Sequence, residues 1–271
     1  MDSGGRSVVT IGAYDGVHIG HRLVIERVRA LASAGDLRSV VVTFDRHPAS
    51  VVRPDSAPQL LTDLTQKLEL LASTGIDEIE LIHFDEERAT ETAEDFIASV
   101  LVSQLAVSVV VVGRNFHFGK ARSGNVALLE EMGTEFGYEV VPFDLVMDET
   151  AGAGTPAEVI SSTRIRRLIA AGDLAGAERL LRRPHEVRGV LSADGGRGRR
   201  AVEVPSDILL PPSGRYAARV ASLQHREEWH SCEAHLEEDP ATARAAVVTV
   251  TGESMPRADG DTVRLVFDRP A

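Results

Sequence analysis

Along the first part of the chain, near-continuous β-branched runs alternate with stretches whose apolar residues recur at helical spacing. Val8 to Ile11 is the first run, and Leu23, Val24, Arg27, Val28 and Leu31 then recur at helical spacing, which predicts a strand followed by a helix. Ala34-Gly35-Asp36 stops that helix, and Val40 to Phe44 reads as a second strand buried on both faces. The alternation continues with a helix over Leu64 to Ala72 and a strand over Ile76 to Phe84. It goes on with a helix from Thr92 to Leu105, a strand over Val107 to Val112, a helix from Asn125 to Phe136 and a strand over Tyr138 to Phe143. Helices that separate successive strands predict a parallel sheet with right-handed crossovers, an α/β fold. Two further helices are predicted, one capped by Ser161 or Ser162 and one over Leu174 to Leu181 that ends ahead of Pro184. Beyond Pro184 the period drops to two in Tyr216 to Val220, Ala245 to Val250 and Val263 to Phe267, which predicts a small antiparallel β-barrel. The expected organisation is an α/β domain over residues 1–183 and a barrel domain over 184–271.

Composition narrows the function classes. A chain of 271 residues with 43% hydrophobic and 26% charged residues is that of a globular protein with a sizeable core. Its formal charge of -12 argues against a nucleic-acid backbone as partner. Lysine occurs only at 67 and 120, so anion recognition would fall mainly to arginine forks. The single cysteine, Cys232, allows no internal disulfide, and the longest apolar run, around Val107 to Val112, is too short to span a bilayer. Small-molecule partners, no membrane and a cytoplasmic location are therefore expected, with the oligomeric state open.

Candidate chemistry gathers where strands hand over to helices. Thr10-Ile11-Gly12-Ala13-Tyr14-Asp15-Gly16-Val17-His18-Ile19-Gly20-His21 lies at the expected carboxyl edge of the first strand, where open α/β sheets bind ligands. Gly12, Gly16 and Gly20 let a ligand approach the backbone, and His18 and His21 fall on one side of a helix start that offers unpaired N–H groups to a triphosphate. The alternative is a turn shaped by glycine with ordinary surface histidines. Asp45-Arg46-His47-Pro48 ends the second strand, and Ala49 to Leu60, with Pro54 and Pro58, is either a lid or a plain connection. Asp85-Glu86-Glu87-Arg88 reads as a solvated helix start rather than a metal site. The loop Gly113 to Gly124 mixes aromatics, bases and glycines, as a flat phosphorylated ligand requires; Phe116 and Phe118 either wall that ligand or pin the loop to the core. At Ser161-Ser162-Thr163-Arg164-Ile165-Arg166-Arg167, hydroxyls and guanidiniums gather at another helix start, either a second anion site or a capped amphipathic helix.

In that order, Gly-Ala-Tyr-Asp-Gly-Val-His-Ile-Gly-His, Thr-Phe-Asp-Arg-His-Pro, Val-Gly-Arg-Asn-Phe-His-Phe-Gly-Lys-Ala-Arg-Ser-Gly and Ile-Ser-Ser-Thr-Arg-Ile-Arg resemble the bacterial bifunctional riboflavin kinase/FAD synthetase family. The resemblance covers most of residues 8 to 189 and implies a Rossmann-like nucleotidyltransferase domain that makes FAD and pyrophosphate from ATP and FMN with Mg2+. It implies catalytic roles for His18, His21, Ser162 and Arg166, and nucleotide contacts for Gly12, Asp15, Gly16, Gly20, Thr163 and Arg164, so that the two helix starts serve one triphosphate. It implies flavin contacts for Asp45, Asn115, Phe116 and Phe118, and no protein-held metal. The family pattern is broken in two places: Ala13-Tyr14 stands where Asn-Phe is usual, and Arg46 where Pro is common.

In the barrel the resemblance implies a riboflavin kinase, and there the match weakens. Gly195-Gly196-Arg197-Gly198-Arg199-Arg200 stands for the kinase flap, but Val204-Pro205-Ser206-Asp207-Ile208 replaces the Gly-Phe-Pro-Thr-Ala-Asn that follows it in the family. Glu233-Ala234-His235-Leu236 matches the strand with the kinase base only in part. Kinase activity is expected to be absent. Two other readings remain, a nucleotidyltransferase for another phosphorylated acceptor and a non-catalytic flavin- or nucleotide-binding regulator. A class I aminoacyl-tRNA synthetase is disfavoured by chain length, acidity and the lack of a Lys-Met-Ser-Lys-Ser-like loop.

Overall fold

Strand β1 (Ser7–Ile11) is buried at every position, as a β-branched run covered on both faces must be. The computed structural model describes residues 5–148, 157–193, 199–226, 228–239, 244–252 and 260–270. They fall in two compact units, Met1–Pro58 with Leu64–Ile160, and Gln59–Asp63 with Ser161–Ala271.

In the first unit, α1 (Ile19–Gly35) leads to β2 (Arg38–Phe44), and Asp36 in the left-handed conformation ends the helix. The expected loop after β2 contains a short helix, α2 (Pro48–Val52), capped by the His47 side chain, and a 3-10 turn over Pro54–Ser56. Then come α3 (Leu64–Ala72), β3 (Glu78–Ile82) and α4 (Glu86–Ala89), whose N-cap is Asp85. The acidic run 85–87 is thus a helix start, with Arg88 paired to Glu91. Helix α5 (Ala93–Phe96), capped by Thr92, runs on into π-helical coils over Ile97–Gln104. That widened stretch, unforeseen in the sequence, still turns Ile97, Val100, Leu101 and Leu105 to the core. Strand β4 (Val107–Gly113), α6 (Val126–Phe136) and β5 (Glu139–Phe143) complete the repeat, and a two-stranded hairpin, β6 (Met147–Asp148) with β7 (Glu158–Val159), follows.

The five-stranded sheet has the order β3-β2-β1-β4-β5, with every pairing parallel. One face buries Val9, Val42, Val110 and Val112 against Phe96, Leu101, Leu129 and Met132. On the other face Val8, Val28, Ala32 and Val111 pack together, beside Val41, Ile25 and Leu71. Each of these side chains larger than alanine contributes about 1.5–3 kcal/mol by leaving water. Chain direction reverses its progress across the sheet between β1 and β4, the switch point at which α/β folds open a ligand crevice.

The second unit begins with α7 (Ser162–Ala170) and α8 (Leu174–Leu181). Strands β8 (Glu186–Ala193), β9 (Arg199–Glu203), β10 (Gly214–Ser222), β11 (His230–Asp239), β12 (Arg244–Thr251) and β13 (Thr262–Pro270) form a closed antiparallel barrel, order β10-β11-β12-β9-β8-β13. The three period-two stretches lie within β10, β12 and β13. Inside pack Val187, Leu191, Val202, Val220, Leu236, Val250, Leu265 and Phe267. The expected flap residues Gly195 to Gly198 lie outside the described residues.

Candidate active site

The turn after β1 is held in a shape that few sequences allow. The Gly12 N–H donates to the Val42 carbonyl at 3.0 Å, and a Cβ on Gly12 would stand 3.1 Å from the Tyr14 ring. Tyr14 (φ 51), Gly16 (φ 81) and Val17 (φ 40) all have positive φ. For β-branched Val17 that conformation is costly, and full burial of its side chain beside Tyr14 and Ile25 offsets the strain. The Tyr14 hydroxyl and Thr10 Oγ1 share a hydrogen bond of 2.7 Å, which anchors the ring back onto β1. Burial raises the Tyr14 hydroxyl well above its ordinary pKa. Asp15, within the same turn, is 5% exposed.

Helix α1 then starts on an imidazole. His18 is the N-cap, its Nδ1 accepting the His21 N–H at 3.4 Å, and the two rings stack with centroids 3.6 Å apart and planes 18° apart. Tyr14 meets the His21 ring edge-on at 4.9 Å. Gly20 makes the arrangement possible, because a Cβ there would lie 3.2 Å from the His18 ring. Burial, and then the neighbouring His18, hold the His21 imidazole well below the usual histidine range, so it is uncharged near neutral pH. Its Nδ1 is buried without a hydrogen-bond partner. A neutral imidazole at a positive helix end is suited to an oxyanion.

Beside this turn a cavity of about 450 Å3 opens at the carboxyl ends of β1, β2 and β4, within the size range of small-molecule sites. Gly12 and Ala13 form one part of its wall, and Phe44, Phe84, Phe96, Phe116 and Phe118 form an aromatic part. Phe116 and Phe118 stack at 5.3 Å and 15°, and both pack on the sheet core, so they pin the loop and wall the cavity at once. Backbone bonds between Phe118 and Gly124 (3.1 and 3.0 Å) close the loop. A Cβ on Gly124 would sit 2.6 Å from Ala93 Cβ and 2.8 Å from the Phe118 ring. Helix α2 contributes Pro48, Ala49 and Val52 to the wall, and Arg53, Arg88 and Arg122 also line it.

Asp45 and Asn115 are not among the lining residues. Asp45 instead ties the ends of β2 and β3: Oδ1 accepts the Phe84 N–H at 2.9 Å, and Oδ2 lies 2.6 Å from His83 Nδ1. Against the opposing effect of partial burial, the Phe84 N–H, His83 and Arg46 keep the Asp45 carboxyl below its usual range. Asn115 is exposed near Gly113, and Arg46 is half-exposed, 3.8 Å from Asp45.

In the second unit, Ser161 caps α7, its Oγ accepting the Arg164 N–H at 3.2 Å. Ser162 and Thr163 occupy the first turn; Thr163 is exposed and Arg164 buried. Arg166 Nε donates to the Gln59 carbonyl at 2.6 Å, which fixes the direction of its guanidinium. Arg164 and Arg166 thus belong to a built helix start rather than a free solvent face.

A further charged residue of the first unit lies outside the sequence motifs. Lys67 on α3 is 8% exposed, its Nζ donating to the Phe44 carbonyl at 2.6 Å and reaching the Ala13 carbonyl at 3.5 Å. Its sequence signal is position: 64, 67 and 71 share one helix face, and the outer two are leucines.

An open parallel sheet with a glycine turn and paired histidines at its switch point defines the chain as an α/β nucleotidyltransferase-type protein, followed by a closed barrel. Comparison with known proteins narrows this. A family model described as FAD synthetase matches residues 2–164. The bifunctional riboflavin kinase/FMN adenylyltransferase of Escherichia coli strain K12 is 35% identical over 221 residues, 80% of this chain and 68% of that protein. The Listeria monocytogenes protein of the same description is 33% identical over 220 residues, 78% of this chain and 67% of the relative. A crystal structure described as a macrolide-efflux protein from Streptococcus pneumoniae matches with TM-score 0.80 at 24% identity, over 99% of this chain and 86% of that one, a likeness of fold alone. The chain belongs to the FAD synthetase family and is an enzyme of that family.

Proposed function

We propose that the chain transfers the AMP group of ATP to FMN, giving FAD and pyrophosphate. The observation that carries this reading is the juxtaposition, within one unit of a FAD synthetase family member, of the His18–His21 helix start and an aromatic cavity whose wall begins at Gly12 and Ala13. A phosphate oxygen of FMN attacks the α-phosphorus of ATP in line. The bond from that phosphorus to the bridging oxygen breaks, and pyrophosphate leaves with the electron pair. No side chain need act as nucleophile, so catalysis is positioning and charge stabilisation. His18 and His21 donate to α- and β-phosphate oxygens, and Gly12, Asp15, Gly16 and Gly20 shape the nucleotide loop. Ser162 and Arg166 hold the departing pyrophosphate, with Thr163 and Arg164 completing that helix start. Phe116 and Phe118 flank the flavin ring, while Asp45 and Asn115 order the loops around it. ATP would be used as its Mg2+ complex, in which the ion would supply neutralisation of the charge on the phosphates. Pyrophosphate release over a panel of acceptors tests the reading: FMN is expected to be turned over best and riboflavin not at all. A second reading, another phosphorylated acceptor, is favoured by apolar Ala13 in the cavity wall, and higher turnover on a different acceptor would establish it.

We also propose that riboflavin kinase activity is absent. Ile208 is 5% exposed and bridged to Leu60, which turns its side chain into the core, and the Ser206 carbonyl accepts from Gln59 at 3.2 Å. Glu233 is an ordinary ladder residue between Ala217 and Thr251, 3.8 Å from Arg215. No transfer of labelled phosphate from ATP to riboflavin is expected; transfer above a protein-free control overturns this.

A further inference from the structure

We infer that Lys67 is a positioning residue for adenylyl transfer, its ammonium tying the parting ends of β1 and β2 so that the nucleotide turn keeps a fixed place against the acceptor cavity. The inference rests on the adenylyl-transfer reading. Lys67 occupies a core-facing position of α3 at which apolar packing alone would call for leucine. Burying an ammonium is unfavourable unless its charge and donors are met. Here the ammonium donates to one backbone carbonyl on each of the two strand ends.

The Gly12 N–H to Val42 carbonyl bond is where the β1–β2 ladder gives out. Beyond it β1 turns into Ala13-Tyr14-Asp15, while β2 runs on to Phe44 and Asp45. Lys67 Nζ reaches one carbonyl from each branch, Phe44 at 2.6 Å and Ala13 at 3.5 Å, and Thr43 Oγ1 adds a contact of 3.3 Å to the Ala13 carbonyl. Both Ala13 and Phe44 line the cavity, and Gly12 adjoins the nucleotide turn. Burial lowers the pKa of Lys67, while the carboxylates of Asp15 and Asp45, one on each branch, act to raise it. One cation thus balances a carboxylate on the nucleotide branch and another on the acceptor branch. Losing it frees the branches to move apart by a fraction of a bond length or more. In-line attack needs the reacting atoms about 3–3.5 Å apart, and a misplacement of about 1 Å costs roughly 100-fold in rate. Lys67 spends its donors on backbone, so substrate affinity should barely change.

The test compares Lys67→Met, Lys67→Gln and Lys67→Arg with the wild type for kcat, for KM toward Mg-ATP and FMN, and for folding by circular dichroism. In K67M kcat is expected to fall about 100-fold, with both KM values within about threefold of wild type; in K67R, which keeps the charge, at least about a tenth of the wild-type rate should return. K67Q keeps donors for the carbonyls without the charge, and stands in if K67M does not fold. Wild-type kcat in whichever of these two folds overturns the inference, as does a change confined to KM or to melting temperature. If the wild type forms no FAD, the adenylyl-transfer reading fails and the inference with it; if it does and the variants match it, the inference alone fails.

Discussion

At the scale of single residues, the site depends on an imidazole pair whose geometry is set by what its neighbours lack. Gly20 has no Cβ to push His18 away, and His21 has a buried Nδ1 that nothing in the protein satisfies. An unsatisfied donor or acceptor costs about 1–3 kcal/mol, which a phosphate oxygen would return on binding. Replacing His21 by Gln is expected to lower kcat by about 10²–10³, the usual cost of one preorganised donor to developing charge; steady-state kinetics check it. The same residue governs a pH effect. Its folded pKa lies below the unfolded value of about 6.5, so the unfolded chain takes up the proton first and stability falls as pH drops below that value. Thermal melts from pH 7 to 5 should therefore show a steeper loss for wild type than for H21Q; equal slopes would contradict the assignment. The His-Ile-Gly-His string was legible at once because it is local. Lys67 was not, because its meaning depends on carbonyls of residues 13 and 44 that only the folded sheet brings to it.

At the scale of elements, the helices Leu64–Ala72 and Leu174–Leu181 follow from periodicity to the residue, since a stripe of apolar positions, and for the second the Asp173 cap, are written locally. Helix α2 was hidden by the prolines around it, although Pro48 sits at its first turn, where proline is welcome. The π-helical stretch 97–104 has the composition of an ordinary helix, so nothing local in the sequence marks its widening. Strands β8, β9 and β11 carry charges on their outer faces that blur the alternation. The loop 113–124 is tightly packed at Gly124. Gly124→Ala would drive a methyl group against Ala93 and Phe118, displacing the stacked pair. It is expected to raise the KM for FMN by about tenfold or more, the cost of roughly 1.4 kcal/mol, while the KM for ATP stays close to wild type.

At the scale of the whole molecule, an acidic chain with no helix among its described residues long and apolar enough to cross a membrane joins a nucleotidyltransferase-type unit to a barrel. The parallel sheet was legible because helices must separate parallel strands. The barrel's closure was less so, since pairings such as β8 with β13 are remote in sequence. Fold alone does not assign a function to that barrel, in which Ile208 is buried. The most direct measurement of the central claim is to incubate the purified protein with Mg-ATP and FMN and resolve the products by chromatography. FAD and pyrophosphate are expected to appear in equal amounts, at a rate that collapses in H21Q. FMN recovered unchanged, or an adenylylated product other than FAD, would contradict it.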